Sequence, residues 1–138
     1  TGSTQGGMVV GFRAQERERR LIGIDTAADA GMTRAAVTKI ARNTAEMIGL
    51  DKEIRDEDVI IEPRFCGPDY GLPDGPTVEA IRYTAQMEGM LTDPVYEGKS
   101  MAGLIAMARS GEIAKGSRVL YVHLGGAPAL NAYHNAFA

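Results

Sequence analysis

Apolar residues along the chain follow two spacings, one typical of buried strands and the other typical of helices. Short apolar runs at residues 21–25, 59–61 and 119–123 have the length of strands buried in a parallel sheet. Between these runs, apolar residues recur every three or four positions, which indicates helices. The alternation predicts an α/β fold in which helices cover a partial parallel sheet.

The helical spacing predicts helices over residues 4–14, 33–50, 76–89 and 96–109. Pro76 suits the first turn of the third helix and Gly89 suits its end. A further helix is expected to begin near Pro128. Residues 66–75 are rich in glycine and proline, so we predict a loop there.

Composition narrows the classes of function. The chain has 138 residues and a net charge of -3. Without basic runs or interleaved aromatic residues, it is expected to bind a small soluble ligand rather than nucleic acid or a membrane surface. A single cysteine, Cys66, and the lack of an apolar leader favour a cytoplasmic protein. Because the sequence starts with Thr1 inside an apparent functional loop, we expect a further N-terminal part.

The first motif is this opening loop, Thr1-Gly2-Ser3-Thr4-Gln5-Gly6-Gly7. Glycines let the backbone approach an anion, hydroxyls donate hydrogen bonds, and the following helix directs its positive end at the same point. A phosphate group fits this chemistry, although Ser3 or Thr4 could also be an ordinary helix N-cap. The spacing matches neither a P-loop nor G-x-G-x-x-G. Asp25, about 20 residues further on, keeps a dinucleotide-binding module open as an alternative.

Two further motifs lie where loops meet predicted helices. Tyr96 and Glu97 place a phenol beside a carboxylate, where an acidic residue in a first helical turn is also favourable for the helix itself. Gly125 and Gly126 follow the third apolar run. Such a turn at the carboxyl edge of a sheet is a frequent ligand site, although plain connections of this kind are equally common.

Four segments taken together resemble 1-aminocyclopropane-1-carboxylate (ACC) deaminase. They are Thr1-Gly2-Ser3-Thr4-Gln5 with Gly7-Met8, Tyr70-Gly71-Leu72-Pro73, the run Thr92-Asp93-Pro94-Val95-Tyr96-Glu97-Gly98-Lys99-Ser100, and His123-Leu124-Gly125-Gly126-Ala127-Pro128. The resemblance implies the tryptophan-synthase-β-like fold of pyridoxal 5′-phosphate (PLP) enzymes. It also implies opening of the cyclopropane ring of ACC, an amino acid substrate, to give 2-oxobutanoate and ammonia, with no metal.

The resemblance also assigns roles to individual residues. It implies that Glu97 faces the pyridine nitrogen, that Tyr96 and Tyr70 are the active-site tyrosines, and that Leu124 lies at the cofactor. The implied phosphate cup consists of Thr1, Gly2, Ser3 and Thr4. A related family, D-cysteine desulfhydrase, is the nearest competitor and carries hydroxyl residues where this chain has Glu97 and Leu124.

The resemblance covers the whole chain but less than half of a full family member. Residues 1–138 are therefore expected to be the C-terminal part of a PLP-binding domain from a homo-oligomeric protein. The family's Schiff-base lysine and catalytic serine belong to the N-terminal half, so this chain alone is expected to be inactive. We interpret Lys99, like the other lysines of the chain, as solvated, and His123 as a residue beside the cofactor pocket.

Overall fold

The computed structural model describes residues 2–17 and 19–138, which form two compact units. The first unit consists of residues up to 25 together with residues 29–63, and the second consists of residues 26–28 and 64–138. Thr1, the first residue of the predicted phosphate cup, lies outside the described residues.

The first unit packs helices against a small parallel sheet. Its elements are α1 (Ser3–Ala14), β1 (Ile22–Ile24), α2 (Ala30–Met47), a 3-10 turn (Asp56–Asp58) and β2 (Ile60–Glu62). The two strands are parallel, with Ile22 opposite Ile60. A core of buried apolar side chains joins the helices to β2, and its members are Val9, Val10, Val37, Ala41, Ala45, Ile54, Val59 and Ile61.

Two glycines allow the close approach of α1 to its neighbours in this unit. A Cβ on Gly6 would lie 2.9 Å from Cγ2 of Ile40 on α2. A Cβ on Gly23 would collide with the side chain of Gln5. That side chain passes over β1 to donate from Nε2 to the carbonyl of Ile60, at 2.9 Å. The first turn of α1 is thereby fixed to the sheet.

The second unit is mainly helical. It contains α3 (Gly75–Glu88), α4 (Glu97–Ser110) and a 3-10 segment (Ala127–Phe137) with a kink at Tyr133. Asp74 caps α3 by accepting a hydrogen bond from the amide of Thr77 at 2.9 Å, and Gly89 ends that helix in the left-handed conformation. Ala80, Met101 and Ala102 form the buried apolar cluster of this unit.

The predicted fold class is confirmed: the chain is α/β, with a partial parallel sheet flanked by helices. The four predicted helices are present, and their starts differ from the prediction by at most three residues. The largest difference is at α2, which begins at Ala30 because the carboxylate of Asp29 accepts a hydrogen bond from the amide of Met32 at 2.9 Å.

The predicted third strand is wrong. Residues 119–123 have the apolar pattern of a strand, yet they pair with no strand among the described residues. A strand needs a neighbour for its backbone N–H and C=O groups, and Val119, Leu120 and Val122 are exposed here, so the apolar run predicted neither pairing nor burial. The predicted helix after Pro128 takes the tighter 3-10 form. None of the helices described in residues 2–17 and 19–138 could cross a membrane.

We expect Gly98→Ala to destabilise the second unit. A Cβ at this position would lie 2.7 Å from the Ile81 side chain and 2.9 Å from the carbonyl oxygen of Asp93. Backbone must shift to admit it, which costs roughly 1–3 kcal/mol. The matched control is Gly75→Ala at the first residue of α3, where nothing lies within 4 Å of the added carbon. Thermal unfolding of both variants tests this, and equal stabilities would contradict it.

Candidate active site

The entry of α4 is organised by the carboxylate of Asp93. Its oxygens accept hydrogen bonds from the backbone amides of Val95 at 2.8 Å, Tyr96 at 3.0 Å and Glu97 at 2.9 Å. Asp93 is buried, and Gly126 packs so closely against it that a Cβ there would lie 2.9 Å from the Asp93 side chain. These hydrogen bonds fix the backbone of Tyr96 and Glu97 and so determine where their side chains begin.

Glu97 is the buried carboxylate of this site, only 5% exposed. Its Oε1 accepts hydrogen bonds from the amide of Leu124 and from the amide of Gly125, the latter at 2.9 Å. Its Oε2 lies 2.6 Å from Nδ1 of His123. The predicted neighbours Glu97, Leu124 and His123 are therefore brought together, and Leu124 contributes through its backbone while its side chain is exposed.

The second oxygen of Glu97 is well suited to a cationic or N–H partner. Oε2 is buried and accepts no directional hydrogen bond from the described residues, although His123 is near it. A buried carboxylate oxygen left in this state is costly unless another donor completes it. The N–H of a protonated pyridine ring is such a donor, so these residues fit the cofactor that the sequence predicted.

The two predicted tyrosines form a pair. The hydroxyls of Tyr70 and Tyr96 are hydrogen-bonded, and the rings meet edge to face with centroids 5.9 Å apart. Both side chains are about half exposed, which leaves them accessible to a small molecule. The hydrogen bond with Tyr70, followed by burial, raises the pKa of Tyr96 above its usual value of 10.0, so Tyr96 is protonated at neutral pH.

A third tyrosine, Tyr121, contacts the backbone of Glu97 and was not predicted to do so. Its hydroxyl donates to the backbone carbonyl of Glu97 at 3.0 Å and lies 2.9 Å from the Ser100 hydroxyl. Burial raises the pKa of Tyr121 to about 12. The hydroxyl therefore remains a neutral donor at physiological pH.

Lys99 lies two residues beyond Glu97 and is fully buried, so the prediction that it is solvated is wrong. Its Nζ donates a hydrogen bond to the backbone carbonyl of Asp69 at 2.8 Å. Lysine is usually exposed, and composition offers no signal for this exception.

The predicted phosphate loop belongs to the first unit. Gly2 precedes α1 in the left-handed conformation, with φ of 73°, and a Cβ there would collide with Cγ2 of Val37. The N-cap of α1 is Gly2, and Ser3 and Thr4 lie inside the helix, so the alternative in which Ser3 or Thr4 is an ordinary N-cap is wrong. Ser3 and Thr4 lie in the first turn with exposed side chains. The described part of the loop thus has the glycine, hydroxyls and helix terminus of an anion site.

Asp25 does not fit the dinucleotide alternative. Its side chain is buried, and Oδ1 accepts a hydrogen bond from the Thr33 hydroxyl at 2.9 Å. A carboxylate that recognises a ribose has to face the ligand, whereas this one connects the end of β1 to the start of α2.

Residues 1–125 match the family model described as pyridoxal-phosphate dependent enzyme. The chain belongs to this family of PLP-dependent enzymes.

Relatives of this PLP-family chain agree with the resemblance predicted from the sequence. The chain is 59% identical over 137 residues to the 1-aminocyclopropane-1-carboxylate deaminase of Burkholderia cenocepacia, covering 99% of this chain and 40% of that protein. It is 57% identical over 138 residues to the enzyme of the same name from Burkholderia multivorans, covering 100% and 41%. The chain thus spans about two fifths of the length of these relatives.

A solved structure shows the same fold. The crystal structure of an ACC deaminase homologue superposes with a TM-score of 0.84 at 27% identity, covering 98% of this chain and 40% of that one. The predicted tryptophan-synthase-β-like fold of PLP enzymes is confirmed. Among the described residues, no group of three or more His, Cys, Asp or Glu side chains could hold a metal ion.

We expect Tyr70→Phe to lower the pKa of Tyr96 toward 10, because the variant removes the hydrogen bond that does most to raise it. In the wild type, the raised pKa means that the hydroxyl pair stabilises the fold below pH ~10 and that this contribution is lost as the pH rises through the raised value. Tyrosine Cζ chemical shifts followed from pH 8 to 12 measure the change, with Tyr96→Phe providing the assignment.

The control for this titration is Tyr83→Phe. Tyr83 lies on α3 and stacks with Arg109 instead of belonging to the pair. The variant should leave the Tyr96 titration unchanged. If Tyr96 titrates alike in wild type and Tyr70→Phe, the hydroxyl pair does not control its ionisation.

Proposed function

We propose that this chain is the C-terminal part of an ACC deaminase, the PLP-dependent enzyme that converts ACC to 2-oxobutanoate and ammonia. The observation that carries the proposal is the buried Glu97 carboxylate, whose Oε2 accepts no hydrogen bond from the described residues although Nδ1 of His123 lies 2.6 Å away. The preceding residue, Tyr96, pairs with Tyr70. The identity of 57–59% to ACC deaminases along the chain supports it.

When bound, PLP supplies an electron sink for the cleavage of the substrate's cyclopropane ring. Glu97 holds a negative charge where the pyridine nitrogen is proposed to lie, which favours the protonated ring. The amides of Leu124 and Gly125 hold Oε1, so the carboxylate is oriented before the cofactor arrives. Its role is electronic rather than acid–base.

Tyr96 is proposed to hold or donate a proton at the substrate. Its raised pKa keeps the hydroxyl protonated at neutral pH, which suits a donor to a ring carbon better than a base. Tyr70 orients that hydroxyl through the pair and stands beside it as the second active-site tyrosine. Both side chains are exposed enough to meet a small amino acid.

Phosphate binding is proposed for the loop before α1. Gly2, Ser3 and Thr4 supply a left-handed glycine, two hydroxyl side chains and the positive end of a helix. Thr1, the fourth residue of the proposed cup, lies outside the described residues.

This chain is proposed to be part of a longer polypeptide, because it spans about two fifths of the length of the curated relatives. The remaining part of the proposed enzyme supplies the Schiff-base lysine and the catalytic serine. We further propose that the complete protein is a hydrolase of the cytoplasm and a homo-oligomer.

Incubation of the full-length protein with PLP and ACC should release 2-oxobutanoate, detected with a keto-acid reagent. Glu97→Gln keeps the size of the side chain but removes its charge, so we expect kcat to fall by roughly 10²-fold or more, as when one charge-stabilising group is removed. Lys115→Met, on an exposed lysine, is the control for unrelated charge loss. Sulfide from D-cysteine without 2-oxobutanoate from ACC would move the assignment to the desulfhydrase.

The two positions that separate the families offer a second test. Replacing Glu97 and Leu124 together by Thr should lower turnover of ACC and raise turnover of D-cysteine, because a hydroxyl cannot hold a protonated ring as an anion can. The ratio of the two kcat/KM values measures the change. An unchanged ratio would show that neither residue determines the reaction.

A further inference from the structure

The turn that carries Tyr70 has little apolar packing to hold it in place. Asp69, Tyr70 and Leu72 are exposed, and the turn closes through a hydrogen bond from the amide of Leu72 to the carbonyl of Asp69 at 3.2 Å. Gly71 adopts a positive φ of 73° within it. An exposed turn of this kind depends on polar contacts for a fixed position.

Lys99 provides the contact that comes from α4. Its Nζ donates to the carbonyl of Asp69 at 2.8 Å, across 30 positions of sequence. The approach is close along the preceding loop as well, because a Cβ on Gly67 would lie 3.2 Å from Cε and 3.4 Å from Nζ of Lys99. Burying an ammonium group is costly, so its retention indicates a specific partner rather than filling of space.

Tyr133 provides a second contact to the same turn. Its hydroxyl donates to the carbonyl of Gly71 at 2.8 Å, on the other side of Tyr70 in sequence. The carbonyls before and after Tyr70 are thus both held by side chains from distant parts of the second unit. Lys99 lies on α4, the helix that begins directly after Tyr96. Its hydrogen bond therefore connects the turn that carries Tyr70 to the helix that positions Tyr96.

We propose that Lys99 is a positioning residue, which with Tyr133 fixes the turn of residues 69–72 so that the Tyr70 hydroxyl meets that of Tyr96. The effect on turnover rests on the proposed function of the two tyrosines. The geometric part concerns the hydroxyl pair alone and can be measured without any substrate.

Lys99→Met in the full-length PLP-loaded protein keeps an unbranched chain of similar length and removes the ammonium group. The Tyr96 Cζ resonance should then titrate at lower pH, as it does in Tyr70→Phe, because the turn no longer holds Tyr70 against it. Lys115→Met, on an exposed lysine of the same unit, should leave the titration unchanged. A folded Lys99→Met protein with the wild-type Tyr96 titration overturns the proposal.

A double-mutant cycle gives a readout that a general loss of stability does not produce. Tyr70→Phe and Lys99→Met should each lower kcat by roughly 10- to 100-fold, the size expected when a catalytic group is misplaced by about an ångström. If Lys99 acts through Tyr70, the double variant should lose about as much as either single variant. Losses that multiply would overturn the proposal.

If Lys99→Met does not yield folded protein, Tyr133→Phe makes the same test without burying or removing a charge. It should shift the Tyr96 titration in the same direction by a smaller amount, and an unchanged titration overturns the proposal. Failure of the complete protein to release 2-oxobutanoate would sink the proposed function while leaving the titration result intact.

Discussion

The entry of α4 in the second unit depends on the hydrogen bonds that the carboxylate of Asp93 accepts. This carboxylate accepts hydrogen bonds from the amides of Val95 and Tyr96 in the turn before α4 and from the amide of Glu97, the first residue of the helix, which has no partner within the helix. Because Asp93 completes this cap, Glu97 does not have to fold back to cap its own helix. Its side chain reaches the amides of Leu124 and Gly125 instead, and its second oxygen, Oε2, lies 2.6 Å from Nδ1 of His123.

The site consists of the start of α4 and of two loops, each of which is attached to α4 by a polar contact. Glu97 holds the segment at Leu124, and Lys99 holds the turn at Tyr70. Each contact uses a buried charged side chain of α4 and a backbone group of a loop. Charge-assisted bonds of this kind are stronger than neutral ones and fix direction, which explains why two loops without large apolar cores have defined positions.

The sequence predicted the helices, the parallel pairing and the Tyr96–Glu97 motif, because periodicity and local spacing record these features directly. It could not predict that Tyr121 supports Glu97 or that Lys99 is buried, since these contacts join residues 24 and 30 positions apart. The error at residues 119–123 has a related cause: an apolar run does not show whether a neighbouring strand is present, and Val119, Leu120 and Val122 are exposed here. Family resemblance alone implied that Tyr70 and Tyr96 are both active-site tyrosines, and the hydrogen bond between their hydroxyls was not predicted.

The Gln5 side chain passes over Gly23 and links the first turn of α1 to the sheet. This contact also couples the substitutions that positions 5 and 23 can accept. Any side chain added at position 23 enters space that Gln5 occupies, so it becomes tolerable only after position 5 has been shortened. That shortening sacrifices the hydrogen bond to Ile60 and loosens the helix start that follows Gly2. The two sites are therefore epistatic, and one order of substitution is more accessible to evolution than the other.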